Sequence, residues 1–342
     1  MKFSHLLPTI LVASAVVLAL PTETTESAEI AQRADSSLVG YLGIFFLGNA
    51  PNIYFYLSNG NNALSFKGLN KGQPILKPSS GTGGVRDPSI ISGAGAEAGK
   101  KWYIIGTNLD IGKTTWDKAQ RKGSLSIYIW ESTDMINWGA ERLVKVENDN
   151  AGMVWAPDAI WDPSKGMYLV HWASKFYSAS DSGHTGNPGP DQIRYAYTSD
   201  FKTFTTPQTF ISASSSIIDL SILQLGDNSF ARFIKNESAT NVYMERSDTG
   251  LFGTWTRPGG ATSYIRSGVE GPYAYMDNQV QGRVILLLDY FGGDGYRPFT
   301  STNLNANSWT DADRSSFPSN LRHGSVVGIP QDKYNALNTK WG

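Results

Sequence analysis

Five side chains suited to proton transfer recur along this chain at near-regular intervals: Asp87, Asp158, Asp219, Glu270 and His323, spaced by 71, 61, 51 and 53 residues. Acids gathered in one place repel each other, so a repeated acid points to a site where chemistry or a cation requires it. Two carboxyl groups together can hydrolyse a glycosidic bond. One stays ionised to activate water or attack carbon, and the other stays protonated to donate to the departing oxygen. Asp87 and Glu270 are the expected pair, with Asp158 expected to hold Glu270 in place and raise its proton affinity by like-charge repulsion. For Asp87-Pro88 and Pro157-Asp158 the competing reading is a turn-forming acid beside proline. Repetition at matched intervals favours the site.

Residues so far apart meet only if a repeated architecture brings them together. Short β-rich runs separated by Gly, Asn, Asp and Pro fill the chain, and amphipathic helical stretches are almost absent. Five segments share a pattern ending in serine: Tyr54–Ser58, Tyr128–Ser132, Tyr195–Ser199, Tyr243–Ser247 and Arg297–Ser301, each followed by an aromatic, Phe66, Trp138, Phe204, Trp255 or Trp309. Their serines lie 74, 67, 48 and 54 residues apart, the length of one four-stranded unit with variable loops. Hairpins precede four of them, with inner strands expected at Pro88–Ser92, Pro157–Trp161, Leu220–Leu225 and Tyr273–Met276. The fifth is split between Gly324–Ile329 at the C-terminus and Gly40–Leu47 and Ile53–Leu57 at the N-terminus. The pattern predicts an all-β, five-bladed β-propeller over residues 38–342, its ring closed by N- and C-terminal strands. The residues just before each inner strand would gather at one end of the axis.

Composition narrows the partners. With 29 Lys and Arg against 30 Asp and Glu and no concentrated basic stretch, neither nucleic acid nor an acidic membrane surface is an expected partner. The absence of cysteine removes disulfides, thiolate metal sites and Cys nucleophiles. The 10 Trp, 16 Tyr and 15 Phe suit a protein that handles sugars. Met1-Lys2 and the apolar run Leu6–Leu20 read as a secretory signal peptide over residues 1–19, with cleavage as late as residue 28 also open, followed by a polar leader over 20–37. The competing reading, a membrane anchor, needs a run of ~20 residues. A secreted monomer is expected. Asn236-Glu237-Ser238 is a glycosylation sequon.

The motifs Val85-Arg86-Asp87-Pro88-Ser89-Ile90, Trp155-Ala156-Pro157-Asp158 and Val269-Glu270-Gly271-Pro272, with Ile218-Asp219-Leu220 and Arg322-His323-Gly324, resemble glycoside hydrolase family 43 over nearly the whole mature chain. That family comprises arabinanases, arabinofuranosidases and β-xylosidases on a five-bladed propeller. The resemblance implies an inverting mechanism with Asp87 as general base, Asp158 as modulator and orienter, and Glu270 as general acid. It also matches His323 to an axial histidine that stands beside a central calcium or other ion in many members. The alternative for His323 is a hydrogen-bonded core histidine, and no cofactor is required for the chemistry itself. Asp219 is followed by Leu220 where many relatives carry proline. Ala50 stands where invertase-like propellers need their aspartate, which disfavours a retaining fructosidase, and the presence of Asp87 disfavours an exo-galactanase.

Sugar contacts are expected from Trp155, Trp172, Phe176, Asp219, Tyr273 and Arg297, and the Gly-rich stretch Ser178–Pro190 is expected to border the cleft. The implied function is a secreted α-L-arabinofuranosidase or arabinanase acting on plant cell-wall polysaccharide or oligosaccharide. A β-xylosidase on the same site and a catalytically silent carbohydrate-binding propeller are the alternatives.

Overall fold

A computed structural model describes Met1, residues 35–48 and residues 50–342. The expected signal peptide and most of the leader lie outside the described residues. Twenty strands, β1 to β20 in chain order, form five four-stranded antiparallel sheets. One sheet joins β1 (Leu38–Leu47), β2 (Ala50–Ser58) and β3 (Phe66–Gly68) to β20 (Leu321–Pro330). The next contains β4 (Val85–Ser92), β5 (Trp102–Asn108), β6 (Ser126–Ser132) and β7 (Arg142–Lys145). It is followed by β8 (Trp155–Asp162), β9 (Met167–Ser174), β10 (Gln192–Thr198) and β11 (Gln208–Ile211). Then come β12 (Ile217–Gln224), β13 (Phe230–Asn236), β14 (Asn241–Ser247) and β15 (Arg266–Ser267). The last sheet has β16 (Glu270–Met276), β17 (Val284–Tyr290), β18 (Gly295–Ser301) and β19 (Thr310–Asp311).

Each inner strand touches the next in the series β4, β8, β12, β16 and β20, and β20 touches β4, so the sheets close into a five-bladed propeller. The split blade is the predicted one: β1 pairs with β20 from Leu38 opposite Pro330 to Leu47 opposite Leu321. The remaining blade surfaces stack on one another. Ile91, Ile105 and Ile129 pack against Val154, Val170 and Trp172 of the next blade. Val242, Phe233 and Met244 pack likewise against Ala274, Leu286 and Phe299. Every residue of β5 is buried, because a middle strand is covered on both faces. Burying each such aliphatic side chain contributes about 1.5–3 kcal/mol, which lets a chain without disulfides fold.

The serine motif marks the turn after each third strand. Ser132 Oγ accepts from Met135 N at 2.9 Å, which shapes the turn into the position of Trp138. In the following blade that place belongs to Thr198, whose Oγ1 accepts from Phe201 N at 2.9 Å, rather than to Ser199 as the motif suggested. A threonine hydroxyl makes the same bond, so a serine-based count slips by one residue. Among the described residues two α-helices depart from the β pattern. α1 (Trp116–Arg121) lies in the β5–β6 connection, capped by Thr115 Oγ1, and α2 (Gln331–Trp341) packs Leu337 and Tyr334 onto the closing blade.

Candidate active site

The inner strands begin earlier than the sequence suggested, because each continues through a β-bulge. In β4 the register jumps between Arg86 and Ser89, in β8 between Trp155 and Asp158, in β12 between Ile218 and Ser221, and in β16 between Glu270 and Tyr273. In β20 Arg322 pairs with Phe46 and Ser325 with Ile44, leaving His323 and Gly324 opposite one residue. Four of the first bulged residues adopt left-handed backbone: Asp87 (φ 50°), Ala156 (φ 47°), Asp219 (φ 51°) and Gly271 (φ 53°). Three non-glycine residues in that region are strained, and such strain collects at functional sites. At Gly271 a Cβ would sit 2.7 Å from the His323 imidazole, so only glycine fits after Glu270.

Aligning the bulges corrects the idea that the five residues share one blade position. Asp87, Asp219 and His323 are equivalent, with Ala156 and Gly271 completing their ring. Glu270 lies one residue before the bulge, equivalent to Arg86, Trp155, Ile218 and Arg322. Asp158 lies two residues further in, equivalent to Ser89, Ser221, Tyr273 and Ser325. The propeller axis therefore carries three stacked tiers.

The outer tier, Arg86, Trp155, Ile218, Glu270 and Arg322, lines an open pocket of about 540 Å³ together with Asp87, Asp219 and His323 on its floor. Asp87 Oδ2 accepts from Thr107 Oγ1 at 2.9 Å, and Thr107 Oγ1 itself accepts from Ala156 N at 2.8 Å. His323 Nδ1 lies 3.6 Å from Asp87 Oδ1 and 4.0 Å from Asp219 Oδ1. Asp219 Oδ2 accepts from Gly271 N at 3.0 Å, which ties it to the peptide that follows Glu270. Burial pushes the Asp219 carboxyl up to about 6; His323 opposes this, and the charges of Glu270 and Asp87 reinforce it.

Glu270 is held from two sides. Its Oε2 accepts from Lys235 Nζ at 3.0 Å and its Oε1 from Arg322 Nη2 at 3.1 Å. Arg322 is fixed in turn by Asp289, whose Oδ2 accepts from Nε at 2.7 Å and from His323 N at 3.2 Å. The supporting side chains come from second strands by direct pairing: Lys235 stands opposite Ile218, Asp289 opposite Glu270 and Thr107 opposite Arg86.

Asp158 does not line this pocket; it lines a second chamber of about 10 Å³, room for about one water, which shares Asp87 and His323 with the pocket floor. Its Oδ1 accepts from Ser89 Oγ at 2.5 Å and from Ala159 N at 2.8 Å, and burial pushes its carboxyl up to about 6. Its tier laces neighbouring blades together: Ser325 Oγ accepts from Ile90 N at 2.8 Å and Ser221 Oγ from Ala274 N at 3.4 Å. The residue that touches the Glu270 segment is Asp219. Among the described residues no group of three or more His, Asp or Glu is placed to hold a metal, and His323 faces the Asp87 and Asp219 carboxyls.

The expected sugar contacts divide. Trp155 lines the pocket, edge-on to Trp116 of α1 with ring centroids 6.0 Å apart, and Asp219 is on the floor. Trp172 is fully buried between blades and donates to Glu147 Oε2 at 3.2 Å. Phe176 lies under the Arg194 guanidinium, 4.9 Å from its ring centroid, away from the pocket. Tyr273 belongs to the second chamber, its phenol enclosed and raised in pKa by burial. Arg297 pairs with Asp294 at 3.0 Å and stacks on Tyr290, remote from the pocket. The Ser178–Pro190 loop packs on α1 through His184 Nδ1 and Arg121 O, so it is α1, with Trp116 and Gln120, that forms the wall. The sequence reading missed Arg86, Trp116, Lys235, Glu237, Phe291 and Arg322. Counting one residue back from each bulge finds both arginines.

The chain is similar to several known proteins. Over 208 residues the chain is 33% identical to an α-L-arabinofuranosidase of Bifidobacterium longum subsp. longum, a match that covers 55% of this chain and 19% of that much longer protein. The Cellvibrio cellulosa α-L-arabinanase, solved with arabinohexaose, superposes with a TM-score of 0.50 at 12% identity, covering 79% of this chain and 89% of the other. An exo-β-1,3-galactanase from Clostridium thermocellum gives a TM-score of 0.48 at 13% identity over 73% of this chain and 50% of the other. The profile of the glycosyl hydrolase 43-related family, described as "Probable glycosyl hydrolase domain", matches residues 36–335. With nearly all of the propeller inside that match, and its acids converging on one pocket, the chain belongs to the glycosyl hydrolase 43-related family.

Proposed function

We propose that this protein is a secreted glycosidase that hydrolyses plant cell-wall polysaccharides or oligosaccharides with inversion, releasing L-arabinofuranose. The observation that carries the reading is the convergence of Asp87, Asp219 and Glu270, from three different blades, on one water-accessible pocket. Asp87, anchored by Thr107, is the general base that takes a proton from the attacking water. Glu270 is the general acid that donates to the glycosidic oxygen as the bond breaks. Asp219 takes the orienting part first given to Asp158: its bond to Gly271 N fixes the peptide beside Glu270. Trp155 offers an aromatic face to the sugar ring.

Arabinose is favoured over xylose by the arabinofuranosidase relative. Incubation with arabinan, arabinoxylan and xylo-oligosaccharides, with products separated by chromatography and the first-formed anomer read by NMR, tests both substrate and stereochemistry. Release of arabinose with inverted configuration supports the reading. Xylose as the dominant product moves the assignment to a β-xylosidase, and tight binding without hydrolysis moves it to a carbohydrate-binding propeller.

A further inference from the structure

Lys235 is a buried cation at the wall of the pocket, on β13, with a side chain only 4% exposed. Its Nζ lies 3.0 Å from Glu270 Oε2 and 2.5 Å from Glu237 Oε2, and it sits 5.2 Å from the centroid of the Phe291 ring. Burial draws its proton affinity down, but Asp219, Glu270 and Glu237 outweigh burial and hold the ammonium above its ordinary pKa. This arrangement opposes what a general acid needs. Glu270 must carry a proton when the leaving group arrives, whereas a cation beside each oxygen favours the form without one.

The charged groups facing Glu270 are Lys235 from β13, Arg322 and His323 from β20, Asp219 from β12, Asp289 from β17 and Asp87 across the floor. Each cation bonded to Glu270 is also bonded to a second acid: Asp289 shares Arg322, and Glu237 shares Lys235. Asp289 is wholly enclosed, but Glu237 is 44% exposed and lines the pocket, where a substrate can reach it. We propose that Lys235 is a positioning residue whose ammonium is shared between Glu237 and Glu270, and that this sharing sets the pH at which Glu270 surrenders its proton. The inference rests on Glu270 being the general acid.

The test is the pH profile of kcat/KM for wild type, Lys235→Met, Lys235→Arg and Glu237→Gln, on whichever of arabinan, arabinoxylan or xylo-oligosaccharide is hydrolysed fastest. Removing the cation leaves Glu270 among acids, so Lys235→Met is expected to move the basic limb up by about one pH unit. Glu237→Gln commits Lys235 to Glu270 and is expected to move that limb down by a similar amount, while Lys235→Arg restores the wild-type position. Basic limbs that stay in place in both Lys235→Met and Glu237→Gln, with far-UV circular dichroism unchanged, overturn the proposal. If Lys235→Met does not fold, Glu237→Gln alone decides. A Glu270→Gln variant that keeps both its activity and its basic limb overturns the general-acid reading instead.

Discussion

The pocket and the smaller chamber that shares Asp87 and His323 with it are built on the same five bulges, yet their aspartates have different neighbours. Asp219 and Asp158 show the difference. Desolvation pushes both carboxyls up to about 6. Asp219 lies in the field of His323, Glu270, Lys235 and Asp87 and reaches the peptide beside Glu270. Asp158 satisfies a serine of the preceding blade and its own strand. A raised carboxyl therefore identifies burial first, and the neighbours decide whether that burial serves catalysis.

The largest effect is expected at the two reacting groups. Glu270→Gln and Asp87→Asn should each lower kcat/KM by ~10²–10⁴-fold while the folded structure persists. Steady-state kinetics beside near-UV circular dichroism checks this. The two-aspartate comparison comes next: Asp219→Asn is expected to lower kcat by about 10²-fold through misplacement of Glu270, and Asp158→Asn by only about 3-fold, because an amide oxygen can accept from Ser89 and Ala159 as well. Equal losses would erase the distinction between the tiers.

Two tryptophans sharpen it further. Trp155→Ala should raise KM about 10-fold with the melting temperature little changed, as expected for a ring that stacks on sugar with about 1–1.5 kcal/mol. Trp172→Ala should instead destabilise the fold by about 3–5 kcal/mol, read by chemical denaturation.

The smallest effect lies in acid stability. His171, the register partner of Asp158, is fully enclosed, and burial lowers its imidazole to about 3 from 6.5. Between those values the unfolded chain takes a proton that the folded chain refuses, so stability is lost as pH falls from 6.5, by at most about 1.4 kcal/mol per pH unit. Asp158 works in the opposite sense: its folded carboxyl holds a proton up to about 6, so its contribution grows as pH falls toward 4. His171→Leu is expected to flatten the acid side of the stability curve, and Asp158→Asn to steepen it, in urea titrations from pH 4 to 7.

The repeat, the ring closure and the identity of Asp87, Asp219, Glu270 and His323 as axial residues were legible in the sequence because spacing and strand patterning survive in one dimension. Their depth was not. A bulge adds one residue to a strand without changing composition, so Asp158 and Glu270, three residues apart in bulge-relative position, looked equivalent. Aromatic residues misled for a related reason: Trp155 begins the inner strand β8 and Trp172 lies on its partner β9, but only the register shows that Trp172 faces the preceding blade and Trp155 the pocket. Lys235 and Asp289 carry no motif of their own. They were readable only as cross-strand partners of positions whose register was not yet known.

The pairing of β20 with β1 gives the catalytic floor an unusual dependence on the order of synthesis. Arg322 and His323 are the last of the pocket-lining residues to be synthesised, yet one grips the Glu270 carboxylate and the other faces Asp87 and Asp219. A nascent chain can stack four blades and still lack one wall of the pocket, since that wall arrives only when β20 finds β1. A complete pocket thus reports that β20 has been made and zipped onto β1. A product cut short before Leu321 should be inert toward sugar and should present β1 as an unpaired edge to its neighbours.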